Sequence, residues 1–324
     1  MLRILSWAKA LFTVAVLGLA APALAQSPQS APQLALRNDG REFGFLWQAA
    51  RFGDRTEPHA ALIVPVRIEG APKTLYMQFD LGAPSTVLMK DKLDSLTERL
   101  PGLAAGADGA VNRLVFSMGE VRAEAANVRV VQGGSSGGIA WDEPDRIDII
   151  GTVGADLLRG RVLVIDYPRN RIFVGPAAPE GLVGAGQSIP FIFTPRGVIL
   201  TGMVIDGEAK NIMLDTGSSA FALLTSHEDW LAKTNGGAGE TSFPVNSWGR
   251  TLTAHVAPSG SVARFGDTTV PLGEVAYMEG VDAAQANAMR ASGMGGMTGN
   301  KLFVDRILVL DAANATYAVV VPRP

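Results

Sequence analysis

A repeated segment constrains the fold of this chain more than any other feature. Residues 154–166 read GADLLRGRVLVID, residues 299–311 read GNKLFVDRILVLD, and the two align without a gap. Glycine, leucine, arginine, leucine, valine and aspartate recur at the same offsets, and most of the remaining core positions stay apolar. Repetition of this kind reflects a repeated structural unit. We therefore predict two homologous halves, and we interpret the aspartates that end the copies, Asp166 and Asp311, as turn residues.

A second pair of matching segments lies upstream of these copies. Residues 76–82 (YMQFDLG) and 211–217 (NIMLDTG) are each an apolar strand that runs into Asp-x-Gly. Each half thus brings one aspartate, Asp80 or Asp215, to the end of an equivalent strand. The Pro- and Gly-rich stretch at 175–190 separates the halves, which predicts an N-terminal lobe at 41–180 and a C-terminal lobe at 181–324.

The local patterns favour strands. The chain has 37 glycines and 19 prolines, many of them between short apolar or alternating runs, and such punctuation is typical of strands joined by turns. Helical spacing of leucines predicts a helix at 90–100, with shorter candidates at 226–233 and 282–291. We expect an all-β protein with few short helices, its strands falling at 61–68, 75–79, 111–116, 127–131, 162–165 and 171–174.

The N-terminal residues predict export. Residues 1–25 have a basic start, an apolar stretch and an Ala-Leu-Ala site before Gln26, which is the pattern of a cleaved bacterial signal peptide. No later segment reaches the roughly 20 apolar residues that a membrane helix needs. We expect a periplasmic or secreted protein without membrane insertion after cleavage. Residues 26–40 are rich in Pro, Gln, Ser and Ala, so we predict a flexible leader there.

Several function classes find no support in the composition. The chain has no cysteine, which excludes thiol catalysis and cysteine metal sites. Its net charge of −3 without a basic run gives no indication of a nucleic-acid partner. The three histidines, His59, His227 and His255, have no ligand-like spacing, so we expect no metal and no cofactor. We also expect a monomer.

The two aspartate segments carry a family resemblance. The apolar strand that runs into Asp215-Thr216-Gly217-Ser218-Ser219 resembles the active-site loop of the aspartic protease superfamily, both pepsin-like and retropepsin-like. In that superfamily each half also has two apolar residues and a glycine, then a short helix and a closing strand. Residues 149–166 are similar to this element, and residues 294–311 are a looser second copy.

The resemblance implies a bilobal pepsin-like fold, built from two retropepsin-like halves, with Asp80 and Asp215 as the catalytic pair. Two carboxyls that share one proton can take a proton from water and give one to the peptide group. The implied supporting residues are Gly82, Ala83, Thr216, Gly217 and Ser218, with Ser218 as a donor to Asp215. We expect the nearest carboxyl oxygens within roughly 3 to 5 Å of each other, substantially but incompletely buried at the floor of a cleft.

The first loop departs from the family at Leu81, where a Thr or Ser hydroxyl normally ties the two loops together. Thr216 can make this bond in the second half, but Leu81 cannot. The activity implied is an aspartic endopeptidase acting on extended peptides or unfolded protein. Two alternatives stay open: a peptide-binding pseudo-protease of the same fold, which Leu81 motivates, and a non-catalytic β-rich envelope protein.

Overall fold

The computed structural model describes residues 33–132, 137–182, 185–194, 197–247, 250–281 and 293–322. The signal peptide and the helix predicted at 282–291 lie outside these ranges. Within them the strands are β1 (Gln33–Arg37), β2 (Arg41–Gly44), β3 (Leu46–Phe52), β4 (Arg55–Ile68), β5 (Leu75–Phe79), β6 (Val87–Met89), β7 (Ala110–Met118), β8 (Val121–Val131), β9 (Ile149–Val153), β10 (Val162–Asp166), β11 (Arg171–Gly175), β12 (Ile189–Thr194), β13 (Gly197–Ile205), β14 (Glu208–Leu214), β15 (Thr241–Ser247), β16 (Arg250–Phe265), β17 (Thr268–Glu279), β18 (Met294–Thr298), β19 (Ile307–Asp311) and β20 (Thr316–Val320).

Helices are few and short in the described ranges. They are α1 (Lys90–Thr97), α2 (His227–Lys233) and the 3₁₀ turns Pro101–Leu103, Ala155–Leu158, Glu180–Leu182 and Asn300–Phe303. α1 buries Leu93 and Leu96, and α2 begins after Ser226, whose hydroxyl accepts a hydrogen bond from the Asp229 N–H at 3.1 Å. No helix in this part of the chain has the length and apolar character to span a bilayer. The prediction of an all-β fold with few short helices is confirmed.

The strands form two sheets. One sheet has the order β1-β8-β6-β9-β5-β4-β3, with β7 pairing to β4 and β8. The other runs β15-β16-β13-β12-β20-β19-β10-β11-β2, with β14, β17 and β18 attached. β2, β10 and β11 of the first half therefore join strands of the second half in one sheet. The lobe boundary at 180/181 stays a prediction.

Strand pairing shows how the two halves are related. β10 and β19 pair antiparallel, and Val164 lies opposite Val309. These two residues are equivalent in the sequence repeat, so an approximate two-fold axis passes between them. Around this axis the Tyr167 N–H donates to the Arg306 carbonyl at 3.3 Å, and at the equivalent position the Ala312 N–H donates to the Arg161 carbonyl at 2.9 Å.

The apolar runs of the closing strands follow from burial on both faces. Leu163 and Ile165 belong to the main core, whereas Val162 and Val164 belong to a separate apolar cluster on the opposite face of the sheet. That cluster is covered by Ala178, Leu182 and Ala185 of the connecting segment. A strand buried on both faces has a continuous rather than an alternating apolar sequence.

The predicted flexible leader is wrong from residue 33 onward. Residues 33–37 form β1, which pairs antiparallel with β8, and Leu34 is only 8% exposed in the main core. The composition of 26–40 suggested no apolar period, yet Leu34 and Leu36 alternate with less apolar residues, which is enough for one strand on an existing sheet. Residues 26–32 lie outside the described ranges.

Candidate active site

Equivalent strand ends hold the two aspartates. β5 pairs parallel with β9, and β14 pairs parallel with β18, each with one register irregularity. The Asp80 N–H donates to the Val153 carbonyl at 3.0 Å, and the Asp215 N–H donates to the Thr298 carbonyl at 2.9 Å. Each strand thus continues its parallel pairing up to the aspartate before the chain turns away.

The two turns bind their own carboxylates in the same way. Oδ1 of Asp80 accepts from the N–H groups of Gly82 at 2.8 Å and Ala83 at 3.2 Å. Oδ1 of Asp215 accepts from the N–H groups of Gly217 at 2.9 Å and Ser218 at 3.2 Å. Because backbone N–H groups favour the charged form of an acid, both loops can hold a carboxylate.

The structure brings the two carboxyl groups together. The Gly217 N–H donates to Oδ1 of both aspartates, at 2.9 Å to Asp215 and at 3.2 Å to Asp80, so the two carboxyls are neighbours. The predicted neighbourhood of Asp80 and Asp215 is therefore present. Their catalytic role remains a prediction.

Both loop glycines are required by close approach. A Cβ at Gly82 would lie 2.5 Å from Oδ1 of Asp215, and a Cβ at Gly217 would lie 2.5 Å from Cγ of Asp80. Neither glycine has a positive φ. Each glycine therefore leaves room for the aspartate of the opposite half.

One hydroxyl ties the loops together. Thr216 Oγ1 accepts from the Leu81 N–H at 2.8 Å and donates to the Phe79 carbonyl at 3.1 Å. Leu81 itself is fully buried in the main apolar core. A further bond between the halves, which the sequence did not indicate, runs from Gln78 Nε2 to the Gly217 carbonyl at 3.3 Å. The signal for it was a polar residue inside an otherwise apolar strand.

Ser218 contacts Asp215 as expected. Its Oγ donates to Oδ2 of Asp215 at 2.9 Å, while Ala83, at the corresponding position in the first loop, has no hydroxyl to offer Asp80. The first loop is supported further along the chain by Asp156, which accepts from the N–H and the hydroxyl of Thr86 at 2.9 and 3.0 Å. The two halves therefore share a backbone plan and differ in their polar side chains.

Burial governs the electrostatics of the pair. Asp80 is 2% exposed and Asp215 is 0% exposed, which is more complete than the partial exposure that the sequence argument expected. Burial raises the pKa of both carboxyls, and the charge of Asp80 raises the pKa of Asp215 further, well above its ordinary value. Two carboxyls with raised pKa values at this separation favour a state in which the pair holds one proton between them.

A hairpin of the first half reaches across to the second half beside the site. Arg55 and Glu57 of β4 meet Glu274 and Lys301: Lys301 Nζ lies 2.6 Å from a carboxylate oxygen of each glutamate, and Arg55 lies 2.6 Å from Glu274. The ring of Phe52, at the end of β3, stacks on Phe243 with centroids 4.5 Å apart. These contacts hold the β3–β4 hairpin against the half that carries Asp215.

The histidines and the repeat aspartates have local partners. His255 lies between Glu240 and Glu279, and its Nε2 is 3.2 Å from Glu279. Its partial burial opposes protonation, but the two glutamates outweigh this and raise the pKa of His255 above its ordinary value. Asp166 and Asp311 each accept from the N–H three residues later, at 3.1 and 3.0 Å, as turn residues do.

A comparison with solved structures finds a likeness of overall fold. The crystal structure of an aspartic proteinase from Irpex lacteus aligns with a TM-score of 0.46 and 12% sequence identity, covering 89% of this chain and 97% of that one. At this degree of similarity the likeness does not bear on activity. No family model matches the chain, and no curated protein matches it in sequence.

Proposed function

We propose that this protein is an aspartic-type endopeptidase that hydrolyses extended peptides or unfolded protein with water as the nucleophile. The observation that supports it is the pair of buried carboxyls, Asp80 and Asp215, which accept from the same Gly217 N–H and lie in matching loops of two related halves. The predicted signal peptide places this activity in the periplasm or outside the cell, and the protein acts as a monomer without a cofactor.

The proposed chemistry divides acid and base work between the carboxyls. Ionised Asp80 takes a proton from water as the water oxygen bonds to the peptide carbonyl carbon, and Asp215 gives its proton to the carbonyl oxygen. The tetrahedral intermediate then collapses: Asp80 gives its proton to the nitrogen as the C–N bond breaks, one hydroxyl of the intermediate returns its proton to Asp215, and an amine and a carboxylic acid leave. One proton is again shared by the two carboxyls at the end of the cycle.

Substitution of each aspartate tests the proposal. Asp80→Asn and Asp215→Asn should each lower kcat at least about a hundredfold on a quenched-fluorescent peptide library or a denatured protein, because one carboxyl cannot be acid and base together. Asp311→Asn is the matched control, since it alters a repeated aspartate that only bonds its own turn. Retained turnover in either dyad variant would contradict the mechanism.

The pH dependence gives a second readout of the same proposal. Below the lower apparent pKa of the pair both carboxyls are protonated, and above the higher one both are ionised, so the rate falls at both ends. Because burial raises both pKa values, both limbs of the profile should lie at higher pH than those of an exposed aspartate pair. A profile with one limb only would contradict the shared proton.

A second candidate is a peptide-binding protein of the same fold that lacks turnover. It is favoured by Leu81, which removes one of the two hydroxyls that would tie the loops together. Peptide binding without cleavage, unaffected by Asp80→Asn, would support this candidate. A protein that neither binds nor cleaves peptides would instead support a structural role in the envelope.

A further inference from the structure

Asn300 lies behind the second aspartate loop and uses its whole side chain there. It is fully buried at the start of the 3₁₀ turn Asn300–Phe303. Its Nδ2 donates to the Thr216 carbonyl at 2.8 Å and to Ser219 Oγ at 3.0 Å. Its Oδ1 accepts from the Tyr167 hydroxyl at 2.7 Å. Such a network in the interior fixes a single arrangement of its members.

The carbonyl that Asn300 holds belongs to a special peptide group. The Thr216–Gly217 peptide has its oxygen bonded to Asn300, and its N–H lies 2.9 Å from Oδ1 of Asp215 and 3.2 Å from Oδ1 of Asp80. A peptide group is planar, so fixing its oxygen also fixes the direction of its N–H. A donor on the oxygen also polarises the group and strengthens its N–H as a donor.

Tyr167 anchors Asn300 from the other half of the chain. Its ring is fully buried, with the Phe45 ring edge-on and the Phe303 ring stacked, each at a centroid distance of 6.3 Å. Burial raises the pKa of its hydroxyl, which therefore stays a proton donor. Its backbone N–H lies beside the two-fold axis, bonded to Arg306. The hydroxyl thus connects the central sheet to the loop of Asp215.

The first half has no equivalent of this pair. In the repeat Asn300 corresponds to Ala155, and Tyr167 corresponds to Ala312, so neither counterpart has a polar side-chain atom. The half that has the additional support is also the half whose Thr216 makes the hydroxyl link between the loops. The half without it has Leu81.

We propose that Asn300 and Tyr167 are positioning residues for the dyad: they hold the Thr216–Gly217 peptide so that its N–H bridges Asp80 and Asp215, and they compensate for the missing hydroxyl at position 81. Neither residue touches the reacting atoms. The inference rests on the proposed function for its kinetic consequences, but its structural statement concerns the carboxyl pair itself.

A pair of tyrosine substitutions tests it. Tyr167→Phe should lower kcat about fivefold, which is the effect of one net hydrogen bond. It should leave KM within about twofold, since no substrate contact is lost. The acid limb of the pH profile should move to higher pH, because the N–H that donates to the carboxylates becomes a weaker donor. Tyr317→Phe is the control: it removes a hydroxyl bond of the same kind, to the Thr201 carbonyl at 2.9 Å, away from the dyad. Asn300→Ala should lower kcat up to about a hundredfold through a misplaced loop.

Equal kcat values and pH profiles for wild type, Tyr167→Phe and Tyr317→Phe would overturn the inference. A titration of ¹³Cγ-labelled aspartates by NMR separates this failure from that of the proposed function. If the wild type hydrolyses no peptide, the proposed function fails. The inference then still requires that the two aspartates titrate at higher pH in Tyr167→Phe than in the wild type, and that they titrate as in the wild type in Tyr317→Phe. An unchanged titration would overturn it even in an active enzyme.

Discussion

Replacement of Leu81 by threonine asks whether the lost hydroxyl can be restored. Leu81 is 0% exposed and belongs to the main apolar core. By the two-fold relation, a threonine hydroxyl at position 81 that mirrored Thr216 would accept from the Thr216 N–H and donate to the Leu214 carbonyl. We expect instead that the site around Leu81 has become apolar, so that the new hydroxyl lacks a partner and lowers stability.

Leu81→Val supplies the matched comparison, because valine and threonine have nearly the same shape. Leu81→Val removes one buried methylene and should cost about 1 kcal/mol of unfolding free energy. An unpaired hydroxyl adds about 1 to 3 kcal/mol, whereas a paired one returns about 1 kcal/mol. Since 1 kcal/mol corresponds to about 2 °C in a chain of this size, Leu81→Thr should melt about 2 to 6 °C below Leu81→Val.

Thermal unfolding of the three proteins, followed by calorimetry, together with hydrolysis of one peptide under the same conditions, gives both readouts. A threonine variant that is at least as stable as the valine variant and has a higher kcat would refute the apolar site and show that the hydroxyl finds its partners. If both variants matched the wild type in melting temperature, the burial of this position would itself be wrong.

Two other predictions follow from contacts near and far from the dyad. Gly217→Ala should abolish hydrolysis because its Cβ must displace the Asp80 carboxyl, whereas Gly260→Ala, with no atom within 4 Å of the added Cβ, should retain wild-type kcat; equal activity of the two variants would contradict the close approach. His255→Gln should lower the melting temperature most below about pH 6.5, the ordinary histidine pKa. The effect should become progressively smaller as pH rises through the raised pKa of His255 in the folded state. A difference in melting temperature between wild type and variant that stays constant to within about 0.5 °C from about pH 5 to about pH 9 would show that the imidazolium charge plays no part.

The sequence predicted those features of the site that both halves repeat. Asp80 and Asp215 each end an apolar strand before Asp-x-Gly, and the closing strands at 162–166 and 307–311 have matching apolar positions. The local apolar pattern and the internal repeat agree at these positions, so the sequence alone predicted the strands and the equivalence of the two halves. The neighbourhood of the two aspartates is the direct result of an axis between Val164 and Val309.

The features that the sequence did not predict are those in which the halves differ. Asn300 and Tyr167 stand opposite alanines in the repeat, so alignment treats them as mismatches, and only the fold brings them together across 133 positions. The sequence did not predict β1 because its composition resembles that of a mobile segment. A short alternating stretch is nevertheless enough to pair with the sheet edge that β8 provides. The packing of the β3–β4 hairpin of one half on the other joins residues far apart in the chain, which no local pattern encodes.

The differences between the halves explain how the loops tolerate leucine at position 81. In a symmetric dimer of identical subunits, every polar contact of one loop must recur in the other loop. A single chain with two different halves can have polar contacts in one half that the other half lacks. Here the hydroxyl of Thr216, the hydroxyl of Ser218 and the amide of Asn300 all belong to the half that carries Asp215. The Thr216–Gly217 peptide is bonded at its oxygen and at its N–H, so its position does not depend on a reciprocal bond from position 81. Removal of a polar group behind the second loop should therefore disturb both carboxyls, because the Gly217 N–H donates to both of them.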